Sequence, residues 1–256
     1  MAQTSMTLYA SVVEAIAGFH IQLRHRRRQA LAELVPAIVQ QSTESREQSR
    51  LTSTGLNVFR FFSPGETTHS RLLAFFLDPR ASHGQGALFL VEFLRLLKIR
   101  EPDRVSPYPW IVTAEIGRVD VLIKRASPHT VVVIENKSNY ATDQPNQLYR
   151  YWHQEIYSKQ LERGAPAHEL GHPPKSHYRI VYLSPHAEKQ AESHSLRRPQ
   201  GWHTDLPETV PEELIEHRVF GEFVLEWLQQ SFALLPPANH RLREFTAQYM
   251  QFWQSH

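Results

Sequence analysis

Apolar residues return at steps of three and four, or their multiples, from Leu8 to Leu34: Leu8, Val12, Ile16, Phe19, Leu23, Leu31 and Leu34. That period places one apolar stripe along a helix, which Pro36 is expected to interrupt or end. Gln40 to Ser53 is polar and rich in Ser and Thr, and predicts a helix end followed by a loop. A short apolar segment, Asn57 to Phe62, comes next. Ser63-Pro64 reads as the N-cap and first position of a second helix that carries Leu72, Leu73, Phe75, Phe76 and Leu77 and stops at Asp78-Pro79. A third helix is predicted from about Gly86 to Lys98, and the proline-containing stretch from Glu101 to Pro109 as a connection.

The texture changes at Trp110. Trp110 to Ile116, Val119 to Lys124 and Thr130 to Lys137 are short β-branched runs separated by Gly117-Arg118 and by Ala126 to His129, the pattern of a strand meander. Gln144 to Arg163 predicts a helix with Leu148, Tyr151, Trp152, Ile156 and Tyr157 on one side. Tyr178 to Leu183 predicts a fourth strand, Gln190 to Pro211 mostly loop, and Glu212 to Leu235 and His240 to Trp253 two closing helices. The order predicts a mixed α/β domain over residues 53–256, with an N-terminal helical segment over residues 1–52 and helical additions at the C-terminus.

Composition narrows the function classes without choosing one. With 41% hydrophobic and 21% charged residues the chain is that of an ordinary globular protein. There is no cysteine, which excludes disulfides and thiolate metal sites and fits a reducing cytoplasm. No apolar run approaches the roughly 18 residues of a membrane span, and Met1 to Thr7 does not read as a secretory leader. A formal charge of +2 announces no nucleic-acid partner. The local run Arg24-His25-Arg26-Arg27-Arg28 has two readings, a solvated helix face or a strip for phosphates.

The chemistry-bearing residues lie on the predicted meander. Val131-Val132-Val133-Ile134-Glu135-Asn136-Lys137 is an apolar strand ending in polar residues. Side chains alternate along a strand, so Glu135 and Lys137 share a face about 6–7 Å apart. A hairpin turning at Ser127-Pro128 brings Asp120 alongside Glu135. Two carboxylates and an ammonium withdrawn from water need compensation. A divalent cation supplies it, because Mg2+ takes hard oxygen ligands and keeps waters, so one or two carboxylates suffice. The competing reading of the hairpin alone is a salt bridge at the strand ends.

The order of motifs extends the case. Gly117-Arg118-Val119-Asp120-Val121-Leu122-Ile123, then Ile134-Glu135-Asn136-Lys137, then Gln147-Leu148-Tyr149-Arg150-Tyr151 resembles the PD-(D/E)XK nuclease superfamily, in its RecB-like branch. Glu66-Thr67-Thr68-His69-Ser70, running into Leu77-Asp78-Pro79, resembles the branch's upstream His motif as small prokaryotic members carry it. Leu242 to Tyr249 is similar to their C-terminal helix. The resemblance spans Asn57 to Tyr249 and departs from the pattern at Val119, where the family's name has Pro.

That resemblance implies a restriction-endonuclease-like mixed sheet flanked by helices and a Mg2+- or Mn2+-dependent nuclease acting on DNA. It implies that Asp120, Glu135 and the Asn136 backbone carbonyl bind the metal and that Lys137 assists the attacking water. His69 and Glu66 are further candidate ligands; His69 has a rival reading as a hydrogen-bonding residue at a helix start. Gln147 and Tyr151, one helical turn apart, either contact phosphate or buttress Lys137, and helix packing suits Tyr151 as well. Glu115 either projects into the site or is an exposed strand-end carboxylate. Arg24, Arg26, Arg27, Arg28, Lys124 and Arg150 are candidates for backbone contacts, and the terminal helices offer surface for a homodimer. A catalytically inactive nucleic-acid-binding subunit of the same fold is the alternative from another class.

One motif points elsewhere. His168-Glu169-Leu170-Gly171-His172 fits the His-Glu-x-x-His pattern of zinc metalloproteases, where a helix presents both histidines to the ion. Pro166, Gly171 and Pro173-Pro174 argue against a helix here, and His172 precedes a proline. Gly164 to Ser176 is therefore expected to be a surface loop.

Overall fold

A computed structural model describes residues 2–53, 55–99 and 109–254, with the side chains of 2–17, 21 and 167 outside that description. The connection expected from Glu101 to Pro109 lies, except for Pro109, outside the described residues, and the apolar stripe expected at Leu8, Val12 and Ile16 falls on side chains outside the description. The chain divides into two units, Met1–Leu56 and Asn57–His256. Among the described residues no helix is long and apolar enough to cross a membrane.

The first unit is a single helix, α1 (Ala2–Thr52), that runs through Pro36. It neither ends there nor gives way to a loop after Gln40, as the sequence suggested. The surroundings of Pro36 are exposed, so water can take the carbonyl that the proline ring leaves without a donor. The polar segment stays helical because its side chains bond within the helix. Gln40 donates to Glu44 at 2.9 Å, and Thr43 and Thr52 donate to carbonyls four residues back. Phe19, Leu31, Leu34, Val35, Ile38 and Val39 are exposed on it.

The second unit opens with α2 (Val58–Phe62), whose first turn is capped by the Asn57 side chain accepting from the Phe59 N–H at 3.0 Å. That cap makes α2 a separate turn. Ser63 ends it in the left-handed region, and the next helix, α3 (Glu66–Leu77), has Gly65 at its N-cap rather than Ser63. After α4 (Leu88–Leu96) come β1 (Ile111–Ile116), β2 (Val119–Arg125) and β3 (Thr130–Asn136). The expected crossover helix is present as α5 (Gln147–Tyr151), a π-helical stretch Trp152–Tyr157 and α6 (Ser158–Glu162). The chain continues through α7 (Ala167–Gly171), β4 (Tyr178–Ser184), α8 (Ser193–Leu196), β5 (Ile215–Val219), α9 (Phe220–Leu234) and α10 (His240–Gln254).

The expected mixed sheet is present with five strands in the order β1-β2-β3-β4-β5, the first three antiparallel and the last three parallel. β5 corrects the sequence reading, which ran a helix from Glu212. Ile215-Glu216-His217-Arg218-Val219 is partly buried except at exposed His217, shows no clear alternation, and follows a Glu-rich approach that imitates a helix start. β3 and β4 are buried at every position, because helices cover both faces of the sheet. On one face Val121, Ile123, Val132 and Ile134 meet α3, α4, α9 and α10 through Leu73, Phe76, Phe93, Trp227 and Tyr249. On the other, Leu122, Val131 and Val133 meet Leu148, Tyr149, Trp152 and Ile156. The alternation along β2 and β3 thus sends every other residue to a different core, and it decides where the polar residues at the strand ends point.

Candidate active site

Gly117 and Arg118 form a two-residue hairpin turn with φ of +66° and +68°, the geometry that matches strand twist in tight hairpins. It aims β2 back along β1 with Asp120 as its second residue. Val121 pairs with Ile134 and Leu122 with Val133; the same register carried one step further sets Asp120 across from Glu135. Residues paired across antiparallel strands share a face, so both carboxylates emerge on the α5 side of the sheet. Asp120 Oδ2 also accepts the Asn136 backbone N–H at 2.6 Å, fixing it at the end of β3.

Glu135 is 1% exposed and Lys137 5%. Lys137 Nζ stands 2.6 Å from Glu135 Oε1 and 3.8 Å from Asp143 Oδ1, and donates to the Thr142 carbonyl and Gln147 Oε1, each at 3.4 Å. Gln147 Nε2 donates to Glu135 Oε1 and to the Tyr151 hydroxyl, each at 2.9 Å, and the Tyr151 hydroxyl donates to the Arg118 carbonyl. The two helical residues one turn apart therefore tie β3 to the β1–β2 hairpin through the carboxylate.

Glu135 Oε2 is buried and accepts no hydrogen bond from the described residues. Leaving a buried carboxylate oxygen unpaired costs more than leaving a neutral group so. The electrostatics follow. Burial first, and the neighbouring Asp120 second, push Glu135 up to about 8 against the pull of Lys137. Burial pushes Asp120 up to about 6, opposed by the Asn136 N–H and reinforced by Glu115. Burial works against the Lys137 ammonium, but Glu135 and Asp143 hold its pKa above the ordinary lysine value. Among the described residues no group of three or more His, Asp or Glu is arranged to hold an ion; what the site brings together is a pair of carboxylates.

The other candidates fall in different places. The Asn136 side chain points the opposite way from Glu135, donating to the Glu66 carbonyl at 3.0 Å and Ser70 Oγ at 3.2 Å. Glu66 Oε1 accepts the N–H groups of Asn139 at 3.0 Å and Ala141 at 3.4 Å, anchoring the loop after Lys137, while its charge still reaches Asp120. His69 is buried, with Nδ1 2.9 Å from the Tyr249 hydroxyl and its ring against Phe220, Phe252 and Trp253. Glu115 is exposed. Arg150 sits on α5 and donates to the Pro145 carbonyl at 2.8 Å. Lys124, four residues along β2 from Asp120 and so about 13 Å away, pairs with Glu155 at 3.5 Å. Arg24, Arg26, Arg27 and Arg28 are exposed on α1.

Asp143 was not singled out in the sequence. Buried, it accepts the Tyr182 hydroxyl at 2.9 Å and the Glu192 N–H at 2.7 Å while facing Lys137. No local pattern around Asn139 to Pro145 marks it, since its partners come from β4 and the segment after it.

His168-Glu169-Leu170-Gly171-His172 corrects the loop expectation in part: Ala167–Gly171 forms one helical turn. His172 lies beyond it at φ −134°, its side chain 84% exposed and paired with Glu213 at 2.8 Å. The two histidines are not presented by consecutive turns of a helix.

No curated protein and no solved structure matches the chain. A family model described as the PD-(D/E)XK nuclease superfamily matches residues 56–251, which hold the whole sheet and every residue of this site. The chain belongs to the PD-(D/E)XK nuclease superfamily.

Proposed function

We propose that the chain hydrolyses phosphodiester bonds in DNA with a divalent cation, Mg2+ or Mn2+, held by Asp120, Glu135 and the Asn136 backbone carbonyl. The observation that carries this reading is the buried, unpartnered Oε2 of Glu135 beside a second carboxylate. Without a cation the two acids compete for protons; their hard oxygens are the donors such an ion takes. When bound, the cation offsets their charge, polarises a phosphate oxygen and lowers the pKa of a bound water.

The residues around it have their own parts. Lys137, kept protonated by Glu135 and Asp143, orients the attacking water and offsets negative charge as it grows on the phosphate. Gln147 holds Glu135 in place by donating to Oε1, and Tyr151 locks Gln147 to the hairpin. Arg150, next to Tyr151, is the residue we assign to a contact with the DNA backbone. The choice of DNA rests on the family resemblance.

Labelled duplex and single-stranded DNA incubated with Mg2+ or Mn2+ should be cut, and EDTA should abolish cutting. Undiminished cleavage in EDTA would remove the cation from the account. Binding without any cleavage would favour the inactive-subunit alternative.

A further inference from the structure

The turn after Lys137 has two sides. Tyr140 N–H donates to the Lys137 carbonyl at 3.1 Å. Lys137 faces the carboxylates, whereas Ser138, Asn139 and Tyr140 form one wall of a cleft of about 930 Å³. Gly221 and Glu222 in the first turn of α9, and the Trp253 ring of α10, form other walls. The cleft lies where β3, β4 and β5 end, since Ser138, Pro185 and Val219 all line it. Crevices at the carboxyl ends of parallel strands are where open α/β sheets take ligands.

We propose that this cleft receives an unpaired nucleotide of the strand being cut, its base against the Tyr140 and Trp253 rings. The proposal rests on the nuclease reading and adds a preference for single-stranded or locally opened substrate.

Four features of the walls support it. Tyr140 is 67% exposed and sits at φ +67°, a conformation few residues other than glycine adopt. Glu66 fastens the residues on either side of it, Asn139 and Ala141, so the turn presents an aromatic face from a fixed position. Trp253 is held by Phe220 at 4.5 Å and His69 at 4.8 Å between ring centres. A Cβ at Gly221 would stand 3.5 Å from the Trp253 ring, so glycine keeps that side of the ring open.

The polar groups suit the rest of a nucleotide. Among the described residues no side chain caps the N-terminus of α9, and N–H groups at a helix start favour a phosphate. Ser138 lines the cleft at 6% exposure, and its hydroxyl, buried beneath the wall, has no hydrogen-bond partner among the described residues, so a small shift of the turn would offer it to the ligand. The exposed Glu222 carboxylate would repel a bare phosphate but accepts from the exocyclic amino groups of bases, which argues for a whole nucleotide over a free anion. Paired bases keep their faces stacked on their neighbours, so a duplex cannot offer a base to the two rings. The turn that walls the cleft follows Lys137 directly in the chain, so a base in the cleft would sit beside the end of β3 that carries the carboxylate site.

Fluorescence anisotropy of a labelled mixed-sequence single-stranded 12-mer, and of the same sequence as a duplex, tests the proposal on the full chain in EDTA, where cleavage does not interfere. The wild type should bind the single strand about tenfold more tightly than the duplex. Tyr140→Ala, which removes an exposed ring, and Gly221→Leu, which fills the cleft, should each weaken single-strand binding about tenfold, the size of one lost base–aromatic stack. Duplex binding should not change, and thermal unfolding should confirm that both variants fold. Equal affinity for both DNA forms, no binding of either, or unchanged binding in both variants would overturn the proposal. Failure of the nuclease reading would show separately, as absent cleavage with Mn2+ despite intact single-strand binding.

Discussion

Two stretches of this chain carry catalytic-looking side chains, and the fold treats them oppositely. Glu135 and Lys137 end a strand whose every residue is buried, and Gln147, Tyr151 and Asp143 converge on them from outside that strand. His168 lies in a single helical turn on the surface and His172 just beyond it, exposed and paired with Glu213. Burial makes the difference chemical. An exposed ion pair contributes about 0–1 kcal/mol. Buried carboxylates with an unpaired oxygen instead shift their proton affinity and favour whatever cation can reach them. A motif match alone does not separate these cases; the surroundings of its side chains do.

The comparison breaks most sharply on activity. Glu135→Ala and Lys137→Ala should each lower DNA cleavage by about 10²–10³-fold or more, as expected when a group facing the reacting phosphate is removed, while folding is retained. Glu169→Ala should cleave as wild type. The reverse pattern in the same assay would move the chemistry to the surface motif.

Gln147→Ala should cost about 10–100-fold in activity or metal affinity, the usual effect of removing a residue that orients a ligand, since it frees Glu135 from Tyr151. Metal titration followed by initial rates would detect it. A loss confined to unfolding temperature would mean that Gln147 serves packing only.

Stability against pH sharpens the contrast next. Glu135 ionises near 4.5 in an unfolded chain and is pushed up to about 8 in the fold. Between those values the unfolded chain releases the proton first, so the metal-free protein loses stability as pH rises through that window and loses no more on this account above it. The Tm should therefore fall from pH 5 to pH 8.5, and Mg2+ or Mn2+ should raise it more at the upper end. Glu135→Gln should flatten the fall. A Tm that is constant or rises over that range in the wild type would contradict the assignment. At the other site, His172→Ala should change unfolding free energy by less than about 1 kcal/mol, measured by denaturant titration.

Much of this contrast was legible in the residues. The β-branched runs marked β1 to β4, and the alternation of a strand placed Glu135 and Lys137 together. Pro166 and Pro173 warned that the histidine pair lacked a helix. What was hidden depended on partners distant in sequence. Asp143 gains its role from Tyr182 on β4 and the Glu192 N–H, and nothing within several residues of it signals either. β5 was hidden by the glutamates that precede it, and it becomes a strand by pairing with β4. α1 continued past Pro36 because nothing buries its backbone there. The Asn136 side chain, silent in the sequence, pins β3 to α3 through Ser70 and the Glu66 carbonyl.

The central claim is that the residues facing each other at the open ends of β2 and β3 hold a hard cation. Anomalous diffraction from a crystal of the protein soaked in Mn2+ reads this directly. The account predicts a peak bridging the carboxylates of Asp120 and Glu135, with ligand oxygens about 2.0–2.3 Å away. Density at His168 and His172 with nothing between the two carboxylates would contradict it.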